Sequence, residues 1–131
     1  MQAADIGGAV VKLWYVNLFV SDFERALGFY EETLGFAPET KDSQFGYASF
    51  ATADVRFAIV LSGDSELVGR HTGIGFGVED LAAAHRGLAA RGVEFTMPPE
   101  RQPWGGFMAM FRDPDGNSFY LDQLDDRHSG H

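Results

Sequence analysis

Apolar residues recur along the chain with two different periods, which predicts a mixture of strands and helices. Residues 10–20, VVKLWYVNLFV, are rich in β-branched and aromatic side chains and predict a buried strand. We expect Ser21 and Glu24 to form a capping box at the start of a helix, which Gly35 ends. The apolar residues at helical spacing between them are Phe23, Ala26, Leu27, Tyr30 and Leu34.

The same order of patterns returns in the second half of the chain. With Asp22 aligned on Asp80, Val20 falls on Val78, and the glycines that end the two predicted helices agree within one residue. Three strand-like runs follow each helix. Their bounds are about 36–41, 45–53 and 55–62 in the first half and about 93–97, 105–112 and 117–124 in the second.

The chain therefore predicts an α+β fold built from a strand–helix–strand–strand–strand unit that occurs twice. We expect residues 1–131 to form one domain, with modules at about 10–62 and 71–124. A polar linker at about 63–70 separates the modules.

Two stretches carry a resemblance to a known family. YVNLFVSDFERALGFYEETLGF and FRDPDGNSFYLDQ resemble the vicinal-oxygen-chelate superfamily, which includes glyoxalase I, extradiol dioxygenases and bleomycin-resistance proteins. The likeness covers about residues 12–124. It implies a homodimer and two βαβββ modules whose strands form a curved, mostly antiparallel mixed sheet around a cavity.

The resemblance also implies four metal-ligand positions in those members that use a metal. Here these positions hold Tyr15, Ala58, Gly73 and Tyr120. Alanine and glycine have no donor side chain, and tyrosine is a poor donor to a divalent ion near neutral pH. The sequence therefore predicts no metal site and no cofactor, with a rearranged site that recruits His71 as the alternative.

Two glycine-containing motifs are interpreted as structural. DPDGN (residues 113–117) predicts a hairpin turn, because its glycine comes too early for a calcium loop and no glutamate closes it. GIGFG (residues 73–77) precedes a predicted helix, but Glu79 and Asp80 at the helix start would repel a phosphate group.

Strand alternation predicts which side chains line the cavity. If the first and last strands point Tyr15 and Tyr120 inward, their alternate neighbours do the same. The stretch PPERQPWGGFMAMF adds Trp104, Phe107, Met108 and Met110 at the lip of the same sheet, where they could cover a planar molecule. The predicted ligand-binding residues are Tyr15, Asn17, Arg56, Ala58, Gly73, Gly75, Trp104, Met108 and Tyr120.

Two features of this set have alternative interpretations. Gly73, Gly75 and Gly77 leave room either for a flat ligand or for close packing against a neighbouring element. Arg56 either anchors an acidic group of a ligand or lies solvated on an edge strand.

Composition restricts the function further. Aromatic residues make up 14% of the chain, which fits an aromatic core or an aromatic pocket, and there are no cysteines for thiolate chemistry. A net charge of −9 disfavours a nucleic-acid partner. We expect no secretory signal and no membrane span, and we therefore expect a cytoplasmic protein.

The sequence favours a binding protein over an enzyme. We predict no catalytic residues, because no nucleophile–base set and no inward carboxylate pair is evident. The leading hypothesis is a bleomycin-resistance-like homodimer that sequesters a hydrophobic or aromatic drug or metabolite without a metal. The alternatives are a metal-dependent lyase, isomerase or dioxygenase of the same superfamily, and an assembly role with a cavity filled by its own aromatic side chains.

Overall fold

The structure is a computed structural model and describes residues 4–6, 9–53 and 55–124. Strands β1 (Ala4–Ile6) and β2 (Ala9–Val11) form a two-stranded antiparallel sheet. The first module comprises β3 (Tyr15–Val20), α1 (Phe23–Gly28), a π-helical segment (Phe29–Thr33), β4 (Pro38–Asp42), β5 (Tyr47–Phe50) and β6 (Arg56–Leu61). The second comprises β7 (His71–Val78), α2 (Leu81–Ala90), β8 (Glu94–Arg101), β9 (Phe107–Arg112) and β10 (Ser118–Gln123).

Each module forms its own four-stranded mixed sheet, which confirms the α+β fold of two βαβββ modules. The strand orders are β3-β6-β5-β4 and β7-β10-β9-β8. In each sheet one pair is parallel, β3 with β6 and β7 with β10, and the other pairs are antiparallel. The first strand of each module therefore lies at the edge of its own sheet, and the two sheets are separate among the described residues.

The predicted strand at 10–20 is divided in the structure. Residues 12–14 lie outside both β2 and β3, and β2 pairs with β1 rather than with either large sheet. Hydrophobic composition alone does not show this break, because Leu13 and Trp14 are as apolar as their neighbours in the strands.

The two helices begin in the same way. Asp22 and Asp80 are the N-caps, with nearly the same extended backbone, and each side chain accepts a hydrogen bond from the backbone N–H three residues later. The predicted capping box is therefore wrong by one residue. The Ser21 hydroxyl instead donates to Asp115 of the second module.

One aromatic core connects the modules. Leu18 and Val20 of β3 pack in it, as predicted, with residues of β6 and both helices. Tyr30 has its ring 5.8 Å from that of Phe57 and 6.3 Å from that of Phe119. Burial of these rings removes a large apolar area from water, which is the main favourable contribution to folding.

The DPDGN segment is a hairpin turn, as predicted, and it also joins the modules. Asp113 accepts hydrogen bonds from the backbone N–H groups of Asp115 and Asn117, at 2.9 Å each, and from the Tyr30 hydroxyl at 2.7 Å. Gly116 has a φ of 89°, which favours glycine. Burial, together with the negative charge of Asp113, raises the pKa of the Tyr30 hydroxyl well above its usual range.

Within the described part of the chain, no helix is long and apolar enough to cross a membrane.

Candidate functional site

An apolar cavity of about 830 Å³ opens between the two sheets, with walls formed by strands and loops of both modules. We call it the intersheet cleft and define it by its lining residues. These are Leu13, Val16, Phe36, Thr52, Ala53, Val55, Phe57, Ile74, Gly75, Phe76, Gly77 and Leu124.

The cleft exists because the edge strands β3 and β7 leave part of the core-facing surface uncovered. Val16 and Ile74 pack against the core cluster but are themselves only partly buried. The ring of Phe76 lies 5.4 Å from that of Phe36 and 5.8 Å from that of Phe57, so the modules meet through aromatic contacts. A flat apolar molecule could pack against these rings.

Gly73, Gly75 and Gly77 of β7 have different neighbours. Close packing and room for a ligand can therefore be distinguished at each of these positions. A Cβ atom on Gly77 would lie 2.5 Å from Leu124 Cδ2, so close packing requires a glycine there unless Leu124 moves. A Cβ atom on Gly75 would lie 3.6 Å from Tyr120 Cβ, an ordinary contact distance. Gly73 has a φ of 73°, which favours glycine.

A second, smaller cavity of about 270 Å³ lies beside the cleft. We call it the basic pocket, because Lys12 and Arg56 line it together with Glu39 and the ring of Trp14. Its other lining residues are Leu13, Phe50, Thr52 and Val55.

The sequence-predicted site residues of the first module share one sheet face. In the parallel register of β3 and β6, Tyr15 lies opposite Arg56 and Asn17 lies opposite Ala58. This face is opposite to the one that packs in the core cluster. Arg56 lines the basic pocket, and Ala58 is fully buried.

The predicted residues of the second module lie on the other sheet. Tyr120 is opposite Gly75 in β7, and Met108 is opposite Asp122 in β10. Gly75 lines the intersheet cleft. Gly73 lies where the register of β7 and β10 shifts, and Trp104 lies in the β8–β9 loop with 55% of its surface exposed.

The predicted residues therefore lie on the two sheets and in the β8–β9 loop. One predicted residue lines each cavity: Arg56 lines the basic pocket and Gly75 lines the intersheet cleft. As contacts to a ligand, all nine stay a prediction. The register also agrees with the internal repeat, because the Asn17–Ala58 pair of the first module corresponds to the Gly75–Tyr120 pair of the second.

Sequence reasoning missed most of the residues that line the cleft. Val16, Phe36, Phe57 and Phe76 line the cleft but are apolar residues of the kind that fills an ordinary core. The available signal was topological: the first strand of a βαβββ module can lie at a sheet edge, and an edge strand leaves its core-facing side chains partly uncovered.

The four metal-ligand positions do not fit a divalent ion. Tyr15 and Ala58 lie in the first sheet, and Gly73 and Tyr120 lie in the second. Two of the four have no donor atom in the side chain. Among the described residues, no group of three or more His, Asp or Glu side chains is arranged to hold a metal.

His71 makes two local contacts at the start of β7. Its Nδ1 atom accepts a hydrogen bond of 3.1 Å from the backbone N–H of Gly73. This hydrogen bond engages one of the two ring nitrogens of His71. The ring also packs edge-on at 5.2 Å from the ring of Tyr120.

The chain is a small α+β protein of paired βαβββ modules. Each module forms a four-stranded mixed sheet in which the first strand is part of the parallel pair, and an apolar cavity lies between the two sheets. Residues 12–121 match the family model of the Glyoxalase/Bleomycin resistance protein/Dioxygenase superfamily. The chain belongs to this superfamily, as its resemblance predicted.

Solved structures and curated relatives agree with this membership. A superfamily member from Sphaerobacter thermophilus DSM 20745 is 33% identical, with a TM-score of 0.72 over 87% of this chain and 98% of that one. TnmS3, an antibiotic binding protein from Streptomyces sp. CB03234, is 32% identical, with a TM-score of 0.74 over 89% and 98%. The uncharacterized Bacillus subtilis (strain 168) protein YraH is 29% identical over 82% of this chain and 94% of its own length.

Proposed function

We propose that the protein binds a hydrophobic or aromatic small molecule in the intersheet cleft and releases it unchanged, thereby sequestering a drug or metabolite. The observation that carries this proposal is the cleft itself, which has apolar walls and a volume of about 830 Å³. Cavities of about 300–1,000 Å³ with mostly apolar walls are typical of small-molecule sites.

The aromatic side chains at the cleft favour a planar ligand. Phe36, Phe57 and Phe76 contribute rings to its lining. Stacked and edge-on contacts with such rings add to the free energy gained by removing apolar area from water. The similarity to TnmS3, an antibiotic binding protein, supports the same class of ligand.

Binding in this proposal needs neither a metal nor a cofactor. Two of the four inherited ligand positions have no donor side chain. We expect protein purified without chelators to contain far less than one equivalent of metal, as measured by inductively coupled plasma mass spectrometry. Stoichiometric metal, with turnover restored by a divalent ion, would instead support the lyase, isomerase or dioxygenase alternative.

We also propose that the protein acts as a homodimer. Leu13 and Tyr15 are 70% and 52% exposed, and Leu124, which lines the cleft, is 61% exposed. A second copy would cover this apolar patch. Light scattering should give twice the chain mass of 14.4 kDa, and a concentration-independent monomer would contradict the dimer.

Fluorescence of the two tryptophans tests the proposed binding and its location. Trp14 lines the basic pocket beside the cleft, whereas Trp104 lies in the β8–β9 loop. In Trp104→Phe, titration with a panel of planar aromatic antibiotics should change the Trp14 emission saturably. In Trp14→Phe, the same ligands should change the Trp104 emission much less.

The contrary outcomes have separate meanings. No response of either variant across a broad panel would contradict small-molecule binding. A response of Trp104 alone would place the ligand at the β8–β9 loop and would contradict the cleft as the site.

A further inference from the structure

The basic pocket carries an inference about the chemical class of the ligand, and this inference rests on the proposed function. The pocket is small, about 270 Å³, and Lys12 and Arg56 are its two cationic side chains. Both residues are exposed, so their charged groups can reach a molecule that enters from solvent.

The two cations have no carboxylate partner within the described part of the chain. The ion pairs there join Arg25 to Asp115, Lys41 to Glu31 and Arg112 to Glu94. Glu39 lines the same pocket but is not in an ion pair with Lys12 or Arg56. Lys12 and Arg56 thus place two cations without a carboxylate ion pair in one pocket of a chain that has 19 acidic and 10 basic residues.

The geometry of the pocket suits a carboxylate attached to a flat ring. The Lys12 Nζ atom lies 4.9 Å from the centroid of the Trp14 ring, which fixes a positive charge against an aromatic face. The Arg56 guanidinium is a planar fork that can donate two parallel hydrogen bonds to one carboxylate. Trp14 is 59% exposed and offers its ring for stacking.

The basic pocket is continuous with the intersheet cleft. Leu13, Thr52 and Val55 line both cavities. A molecule that places its apolar rings in the cleft therefore has an adjoining position for a polar group, and the side chains at that position are cationic.

We propose that the ligand is an aromatic or hydrophobic carboxylic acid, with its rings in the intersheet cleft and its carboxylate at Lys12 and Arg56. The net charge of −9 repels anions at long range, so the two cations are needed for an acid to bind. Because the pocket is open to solvent, this attraction weakens as salt is added.

A matched pair of probes tests the proposal. Anthracene-2-carboxylic acid and anthracene-2-carboxamide share a ring system and differ in charge, and anthracene absorbs light in the region of tryptophan emission. In the Trp104→Phe background, quenching of Trp14 should show the acid binding about tenfold more tightly than the amide, as expected for a charge-assisted hydrogen bond. The preference should shrink when salt is added.

Substitutions of Lys12 and Arg56 then test whether the preference for the acid over the amide arises in the basic pocket. Arg56→Gln and Lys12→Gln should each weaken binding of the acid several-fold and leave binding of the amide nearly unchanged. Lys41→Gln is the matched control, because Lys41 is the other lysine of the chain and pairs with Glu31 away from the pocket. It should leave the affinity for both probes unchanged.

A footprint gives an independent measurement on the unaltered protein. Acetylation of Lys12 and Lys41, followed by peptide mass spectrometry, should be slowed at Lys12 by the acid and unaffected at Lys41. Equal binding of acid and amide, with no protection of Lys12, would overturn this inference but leave the proposed function standing. Failure of both probes to bind would also overturn this inference, whereas the proposed function would still be decided by the panel of planar aromatic antibiotics.

Discussion

At the scale of single residues, the contact of Tyr30 with Asp113 joins the two modules. Tyr30 is fully buried in the π-helical segment that follows α1, and Asp113 is a buried residue of the last hairpin turn. Asn117 donates to the same carboxylate and also, through its amide, to the carbonyl of Phe19 in β3, at 3.2 Å. A buried carboxylate with several donors holds its neighbours in one arrangement, since loss of a donor leaves a buried charge less satisfied.

Tyr30→Phe should destabilise the protein. The substitution keeps the ring contacts with Phe57 and Phe119 but removes one hydrogen bond to a buried carboxylate, which costs about 1–3 kcal/mol in the free energy of unfolding. Urea unfolding measures this. Tyr47→Phe is the control, because the Tyr47 hydroxyl makes none of the described hydrogen bonds, and it should change stability by less than about 0.5 kcal/mol.

Tyr30 should also make stability depend on alkaline pH. Its pKa is raised in the folded protein, by burial first and by Asp113 second, so the folded state keeps the proton when the unfolded chain loses it near pH ~10. The unfolded state is then favoured, and stability falls as the pH rises above that value. Tyr30→Phe should show a smaller fall between pH 9 and 11, and an unchanged fall would contradict the raised pKa.

At the scale of elements, much of the fold was predictable because the two modules repeat the same local signals. The predicted runs at 36–41, 55–62 and 105–112 overlap β4, β6 and β9 and differ at their ends by two residues or fewer. The N-cap of the first helix was predicted one residue too early because Ser21 and Asp22 are both good cap residues. In the structure the Ser21 hydroxyl donates to Asp115 of the other module. Such a distant partner is invisible to a local pattern.

The glycines of β7 give a prediction at the same scale. Gly77→Ala should lower the free energy of unfolding by about 1 kcal/mol, because its Cβ atom would lie 2.5 Å from Leu124 Cδ2. Gly75→Ala is the control on the same strand and should change stability by less than about 0.5 kcal/mol, since its Cβ atom meets ordinary contact distances.

A double-mutant cycle identifies the cause of the loss. In a Leu124→Ala background, Gly77→Ala should lower the free energy of unfolding much less than it does in the unaltered protein. An equal cost in both backgrounds would show that the close approach of Leu124 is not why β7 carries a glycine at this position.

At the scale of the whole molecule, the sequence predicted the two modules better than the way in which they meet. Alternation along β3 shows that Tyr15 and Val16 point to opposite sheet faces, but it does not show what each face meets. The cleft forms where Val16 and Phe57 of the first module face Ile74 and Phe76 of the second. That meeting depends on the packing of modules that are distant in sequence.

Substitution of Ile74, which lines the intersheet cleft, is the sharpest test of the proposal that this cleft binds a small aromatic molecule. For the tightest ligand found in the fluorescence panel, the dissociation constant should be measured by titration calorimetry for the unaltered protein, Ile74→Glu and Ile74→Leu. Circular dichroism and thermal unfolding should first confirm that both variants are folded.

Ile74→Glu should weaken binding by about tenfold or more, because a carboxylate in an apolar site has to be desolvated when the ligand binds. Ile74→Leu keeps the apolar character and nearly the volume, so its dissociation constant should stay within about threefold of the original. Equal affinities for all three proteins, with both variants folded, would contradict the assignment of the cleft as the binding site.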